Sequence, residues 1–175
     1  DRRAAVREVI VDSGADIVGT QEGLYHQVVD MDRDLPDFDW IGIGREGGSH
    51  GEFMAVFYRP IRLVPLEYDH FWLSDTPAQI GSRSWGNNIP RMVTWVRFRD
   101  LLTEQEFYLV NTHFDHRGKV ARHESATLMR KRIDALGEKG ERELAVAHEA
   151  AERQPRRNGS HLRRLFERLE KRRIL

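Results

Sequence analysis

The sequence predicts an α/β domain with a helix–strand–helix opening, a run of short strands and a later helix. Its 175 residues are 39% apolar and 32% charged, which is typical of one globular domain. Apolar residues recur first at helical spacing and then in short segments rich in β-branched and aromatic residues. The longest apolar stretches, 41–43 and 53–57, are far shorter than the ~20 residues of a membrane-spanning helix, so composition excludes that class.

The opening elements follow from spacing and from turn residues. Residues 3–11 predict a short amphipathic helix, because their apolar positions recur at helical spacing. Residues 16–20 predict a buried strand, and residues 24–31 predict a second helix. The Leu35-Pro36 pair ends that helix, because proline disfavours helical geometry in the residue before it.

Short strands dominate the middle of the chain. The segments rich in β-branched and aromatic residues are 38–43, 53–59, 63–71, 92–98 and 107–113. Turn-forming residues separate them, and consecutive short strands of this kind favour an antiparallel meander. Helical spacing returns at 118–136, so we predict that residues 1–136 form the domain.

Composition changes near residue 137: tryptophan and tyrosine vanish, and aspartate stops at Asp134. From Arg153 onward, nine lysines and arginines stand against two glutamates. An apolar stripe at helical spacing comprises Leu162, Leu165, Phe166 and Leu169. We therefore predict a charged helical tail over 137–175, whose stripe could pair with a second copy of the chain. The arginines fit a solvated helix face as well as a contact with phosphate backbones.

Cysteine content and the first residues bound the class of protein further. The chain has no cysteine, which excludes disulfides, thiolate metal sites and a cysteine nucleophile but leaves the compartment open. Its 28 basic and 28 acidic residues give no net charge. The opening residues include neither an initiator methionine nor the apolar core of a signal peptide, so we expect the natural start to lie elsewhere.

Two carboxylates stand at predicted strand ends. Glu22 follows the strand at 16–20, where open sheets commonly bind ligands, although the helix macrodipole also favours a carboxylate there. Glu52 stands at the entrance to the strand at 53–59. It could accept a hydrogen bond from a histidine on a neighbouring strand, or it could be an ordinary solvated strand end.

A polar cluster at 111–116 follows the last predicted strand. Strand alternation would put Asn111, His113 and Asp115 on one side. A nearby carboxylate can keep an imidazole protonated at neutral pH, as stabilising an anionic phosphate oxygen requires, while a hydrogen-bonded turn histidine is the alternative. Arg91, which begins another strand, can grip a phosphate bidentately or pair with a carboxylate.

Taken in order, these pieces resemble one known family. The motifs are DIVGTQE at 16–22, GEFMAVFYR at 51–59, FWLS at 71–74, SWG at 84–86 with PRMVTW at 90–95, NTHFDH at 111–116 and AR at 121–122. They resemble the endonuclease/exonuclease/phosphatase superfamily over about residues 1–135, and most of all its bacterial metal-dependent hydrolase branch. The resemblance implies that the chain forms part of a four-layered α/β sandwich, with antiparallel or mixed sheets flanked by helices.

The same resemblance implies hydrolysis of phosphate esters with a divalent metal, usually Mg²⁺, with Mn²⁺ able to replace it. Carried over residue by residue, Glu22 would bind the metal, His113 would hydrogen-bond the scissile phosphate, and Glu52 would orient that histidine. The residues that we expect to bind substrate are Asn111, Asp115 and Arg91. The substrate is a phosphate ester, whether nucleic acid, inositol phosphate or lipid headgroup, since the loops carry no recognisable code for one of them.

Later family motifs do not occur in the sequence. The resemblance implies a Gly-Asp-Phe-Asn motif, whose aspartate positions the nucleophilic water, and a final Asp-His pair that carries the general base. Neither occurs after the helix predicted at 118–136, where no aspartate follows Asp134, so we expect roughly the first half of a phosphoesterase. Little or no hydrolysis is expected from it, because catalytic groups that act as a unit are grossly non-additive. The alternative is a noncatalytic module that binds a phosphate-bearing ligand or a partner.

Overall fold

The chain forms both helices and β-sheets, and the predicted α/β class is confirmed. The structure, a computed structural model, describes residues 2–137 and 143–148. The elements are α1 (Arg2–Ser13), β1 (Ile17–Gly19), β2 (Gly23–Leu24), α2 (Tyr25–Asp34), β3 (Asp39–Ile41), β4 (Glu52–Phe53), β5 (Val56–Tyr58), β6 (Leu63–Trp72), β7 (Met92–Asp100), β8 (Glu106–Thr112), α3 (Lys119–Gly137) and β9 (Glu143–His148). Within these residues, no helix has the length and apolarity to cross a bilayer.

The strands form three sheets. One has the order β1-β5-β3, a second pairs β2 with β4, and the third has the order β6-β7-β8-β9. Strands β6, β7 and β8 pair antiparallel, which confirms the predicted meander for the segments 63–71, 92–98 and 107–113, whereas the segments 38–43 and 53–59 lie in the other two sheets. Strand β9 pairs parallel to β8, so the third sheet is mixed.

Strand β9 corrects the predicted tail. We expected residues 137–175 to be helical, but residues 143–148 form a strand whose register runs from Phe107↔Glu143 to Thr112↔His148. Parallel neighbours need a long crossover, and α3 provides it. Local propensity did not reveal the strand, because leucine and alanine favour helices and pairing with β8 overrides that preference. Residues 149–175, with the predicted self-association stripe, lie outside the described residues.

The predicted strand at 53–59 is also corrected. It is two strands, β4 and β5, in different sheets. The carbonyl of Ala55, between the two strands, accepts hydrogen bonds from the backbone amide of Thr20 at 2.8 Å and from Nδ2 of Asn111 at 3.0 Å. Side chains still alternate across this interruption, because Phe53, Ala55 and Phe57 share one apolar cluster while Val56 and Tyr58 belong to another. Glu52 lies opposite Leu24 in the small β2–β4 sheet, and Leu24 follows closely after Glu22 in the sequence.

Three larger apolar clusters, and a fourth around Met54, Trp72 and Met92, hold these elements together. The first joins α1 and α2 to the β1-β5-β3 sheet through Ile10, Val28 and Phe57. A second lies between the two larger sheets, where Tyr58 of β5 and Phe98 of β7 stack with ring centroids 5.1 Å apart. The third lies between α3 and the four-stranded sheet. Strand β7 is buried on both faces as a result, which fixes the positions of the polar residues at its start and at the end of β8.

Candidate functional site

Glu22 lies in the short connection between β1 and β2. Its φ is 59°, in the left-handed region that residues other than glycine rarely adopt. Its side chain is 60% exposed, and Oε1 lies 3.4 Å from Nε2 of His113. Strained backbone of this kind is concentrated at functional positions, where the surrounding structure enforces it. The carboxylate is thus held open to solvent at the edge of the sheet.

His113 follows directly after β8 and is buried, with 6% of its surface exposed. Strand β8 ends at Thr112, one residue earlier than predicted, so the alternation that we expected for Asn111, His113 and Asp115 does not extend past the strand. The hydrogen bonds of Asn111 to Thr20 and Gln21 nevertheless hold the end of β8 beside the connection that contains Glu22, and Nε2 of His113 lies 3.4 Å from that carboxylate. Glu22 and His113, which the sequence placed at the ends of two different strands, therefore lie side by side in the structure.

Asn111 is fully buried, and its amide is bonded to the protein. Nδ2 donates to the carbonyl oxygens of Thr20 and Ala55 at 3.0 Å each, and Oδ1 accepts from Nε2 of Gln21 at 2.6 Å. The substrate-binding role that we expected for Asn111 stays a prediction. Sequence reasoning missed Gln21, because no local pattern reveals a bond to a residue 90 positions away.

Glu52 forms an ion pair with Arg45, and both side chains are largely shielded from solvent. The carbonyl of Arg45 accepts a hydrogen bond from Nε1 of Trp72 at 2.7 Å, which anchors the loop after β3 to the four-stranded sheet. The carboxylate found 3.4 Å from Nε2 of His113 belongs to Glu22. A histidine-orienting role for Glu52 stays a prediction. Sequence reasoning missed Arg45, which stands in a glycine-rich turn.

Arg91 precedes β7 and is 4% exposed. Its Nη2 lies 3.2 Å from Nδ1 of His116, an exposed residue above it. Burial lowers the pKa of the Arg91 guanidinium, while the carboxylates of Asp115, Glu52 and Glu22 act in the opposite direction. Arginine stays protonated in proteins, so a buried positive charge lies within electrostatic reach of the candidate site.

Asp115 shapes the turn between β8 and α3. Its Oδ1 accepts hydrogen bonds from the backbone amides of Arg117, at 2.8 Å, and Gly118. Burial raises the pKa of the Asp115 carboxyl, but these amides and the charge of Arg91 lower it, and the net shift is downward. Oδ1 of Asp115 thus holds the backbone before α3, and the expected role of Asp115 in substrate binding stays a prediction.

The donor chemistry suits one kind of metal. Over residues 2–137 and 143–148, no three histidine, aspartate or glutamate side chains are grouped as metal ligands. A zinc site with three or four protein ligands therefore does not fit these residues. Mg²⁺ keeps several waters and takes one or two carboxylates together with substrate phosphates, and the exposed carboxylate of Glu22 fits that pattern.

Solved structures give close matches to this fold. An endonuclease/exonuclease/phosphatase from Bacteroides vulgatus is 39% identical with a TM-score of 0.80, over 84% of this chain and 56% of that one. A mannosyl-6-phosphatase from Bacteroides thetaiotaomicron is 37% identical with a TM-score of 0.81, over 84% and 55%. D. rerio TDP2, solved with a single-strand DNA product, is 14% identical with a TM-score of 0.65, over 87% and 54%, and shows the fold alone.

The chain spans little more than half the length of these structures. No protein-family model and no curated protein matches the chain. The two bacterial structures share well over a third of their aligned residues with it, on the same fold. The chain belongs to the endonuclease/exonuclease/phosphatase family.

Proposed function

We propose that the chain carries part of the active site of a divalent-metal-dependent phosphoesterase, with Mg²⁺ as the metal and Mn²⁺ able to replace it. The observation that carries the proposal is the contact of an exposed carboxylate with a buried imidazole, Glu22 with His113, at 3.4 Å. The phosphatase named among the structures at 37% identity supports the same class of reaction.

Glu22 would hold the metal, which when bound would stabilise negative charge on a phosphoryl oxygen. His113 would donate a hydrogen bond from Nε2 to another oxygen of the same phosphoryl group. Because the ring of His113 is buried, little water competes for it, and the bond is stronger than at an exposed site.

Arg91 and Arg45 would contribute positive potential at the same edge. The charge of Arg45 is largely balanced by its ion pair with Glu52. Arg91 is too deeply buried to contact a substrate over a large area. We propose that its charge attracts the phosphate and that its Nη2 bonds to Nδ1 of His116. Such a field raises the local concentration of an anionic substrate.

We propose a phosphomonoester as the substrate, with a sugar phosphate as its first representative. The support is the identity of 37% with a protein named as a mannosyl-6-phosphatase. The match to a DNA-bound structure is 14% identical and supports no choice of substrate. Phosphodiesters are the alternative that the assay below distinguishes.

We propose slow turnover for the 175 residues by themselves. After Asp134 the sequence has no aspartate, and therefore neither the Gly-Asp-Phe-Asn motif nor the final Asp-His pair. Groups that would position and activate the water are therefore missing from these residues, and their loss is grossly non-additive. A noncatalytic phosphate-binding module is the second candidate, supported by the same absent motifs.

The test is hydrolysis by the purified chain of p-nitrophenyl phosphate, mannose 6-phosphate, bis-p-nitrophenyl phosphate and plasmid DNA. Each substrate is measured with Mg²⁺, with Mn²⁺ and with EDTA. We expect monoester turnover that requires metal and falls to background in His113→Ala, while His123→Ala, which changes an exposed histidine on α3, leaves it unchanged. Equal rates in the two variants would contradict the proposal. Phosphate binding without turnover would favour the noncatalytic module.

A further inference from the structure

Both residues that precede Glu22 are bonded to one buried side chain. Nδ2 of Asn111 donates to the carbonyl of Thr20 at 3.0 Å, and Oδ1 of Asn111 accepts from Nε2 of Gln21 at 2.6 Å. The amide and hydroxyl of Thr20 are further bonded to the carbonyl of Ala55, at 2.8 and 3.3 Å. The backbone that leads into Glu22 is therefore fixed from the end of β8 and from Ala55, which directly precedes β5.

The chain after Glu22 is fixed as well. Gly23 and Leu24 pair with Phe53 and Glu52 in the β2–β4 sheet. Glu22, at φ 59°, is the one residue that connects this ladder to the bonds made by Asn111. A non-glycine residue keeps a left-handed backbone only where surrounding bonds enforce it.

We propose that the side chains of Asn111 and Gln21 form an amide clamp that holds Glu22 in its left-handed conformation, with the carboxylate directed to His113. Asn111 and Gln21 are then positioning residues rather than substrate ligands. The role of Glu22 as a metal ligand rests on the proposed function, but the conformational role of the clamp does not.

Asparagine is the residue that suits this position. Its planar amide offers two donors and one acceptor, and here the donors bind two carbonyls while the oxygen accepts from Gln21. Aspartate would supply no donor, and a hydroxyl would supply only one. Because Asn111 is completely buried, a lost bond would not be replaced by solvent, which makes the clamp rigid.

The first experiment measures the backbone of Glu22 by NMR in the metal-free full chain, from its intraresidue amide–Hα NOE and coupling. The variants are Gln21→Ala and Asn111→Ala. The control is Thr112→Val, which removes a buried hydrogen bond from the same strand end to the carbonyl of Met92. We expect the left-handed signature in the parent and control and its loss in both clamp variants. If Asn111→Ala does not fold, Gln21→Ala decides, and retention of the signature there overturns the clamp.

The second experiment measures Mn²⁺ affinity of the same proteins by electron paramagnetic resonance. Residues that orient a metal ligand typically contribute about 10- to 100-fold in affinity. We expect Gln21→Ala to weaken binding about 10-fold or more and Thr112→Val to change it less than about 2-fold. Unchanged affinity in Gln21→Ala overturns the positioning role. If the parent and Glu22→Gln both fail to bind Mn²⁺, the proposed metal site is wrong, while the NMR result still decides the clamp.

Discussion

Replacing Glu22 by glycine should make the protein more stable and remove the proposed metal ligand. The left-handed conformation at φ 59° costs an L residue about 1–2 kcal/mol. Glycine escapes that cost but gains freedom in the unfolded chain worth about 0.5–1 kcal/mol. The net expectation for Glu22→Gly is a gain of about 0.5–1 kcal/mol in the free energy of unfolding.

Glu104 offers a matched control, because it has the same φ of 59° and lies exposed in the turn between β7 and β8. Glu104→Gly should raise stability by the same amount. At about 2–4 °C per kcal/mol for a chain of this size, each variant should raise the Tm by about 1–4 °C. Mn²⁺ binding and metal-dependent turnover should disappear in Glu22→Gly and remain in Glu104→Gly.

Urea denaturation of both variants, followed by fluorescence, measures the stability change directly. The reasoning would be refuted if the free energy of unfolding of Glu22→Gly were lower than that of the parent by more than about 1 kcal/mol while that of Glu104→Gly were higher. The carboxylate of Glu22 would then stabilise the fold, and its strained backbone would be no indication of function.

Three further predictions concern stability. Phe57→Ala should lower the free energy of unfolding by about 3–5 kcal/mol in urea denaturation, because the ring is fully buried between α2 and the first sheet. The hydrogen bond from Arg62 lowers the pKa of Asp100 to about 2, below its unfolded value, so this pair should stabilise the fold above about pH 4 and be lost as the pH falls towards 2. Asp100→Asn should therefore flatten the pH dependence of stability over that window. Gly44→Ala should destabilise the loop at 44–51, since its Cβ would lie 1.9 Å from the carbonyl oxygen of His50, and differential scanning calorimetry should detect a lower Tm.

Each of these predictions has a control. Ile61→Ala changes a side chain that is 84% exposed and should alter stability by less than about 0.5 kcal/mol. Asp37→Asn removes an exposed carboxylate and should leave the acid limb of the stability curve unchanged. Gly23→Ala places its Cβ no closer than 3.6 Å to Val28, so the Tm should change little. If a control variant changed the measured stability, pH dependence or Tm as much as its test variant, the corresponding prediction would be contradicted.

The sequence by itself determined most of the local structure and the family. Helices α1, α2 and α3 were predicted because apolar spacing and stop residues act within a few positions. The motifs at 16–22 and 111–116 pointed to Glu22 and His113, since both residues follow apolar strands directly. Their roles as metal ligand and phosphate donor stay predictions.

Tertiary structure alone decided which groups meet. The carbonyl of Ala55, between β4 and β5, is bonded by Thr20 and Asn111, and β9 depends on pairing with β8. Asn111 also bonds to a glutamine 90 residues away. Periodicity reports which face of an element is apolar, whereas these bonds join polar groups that are distant in the chain and become neighbours only when the sheets pack.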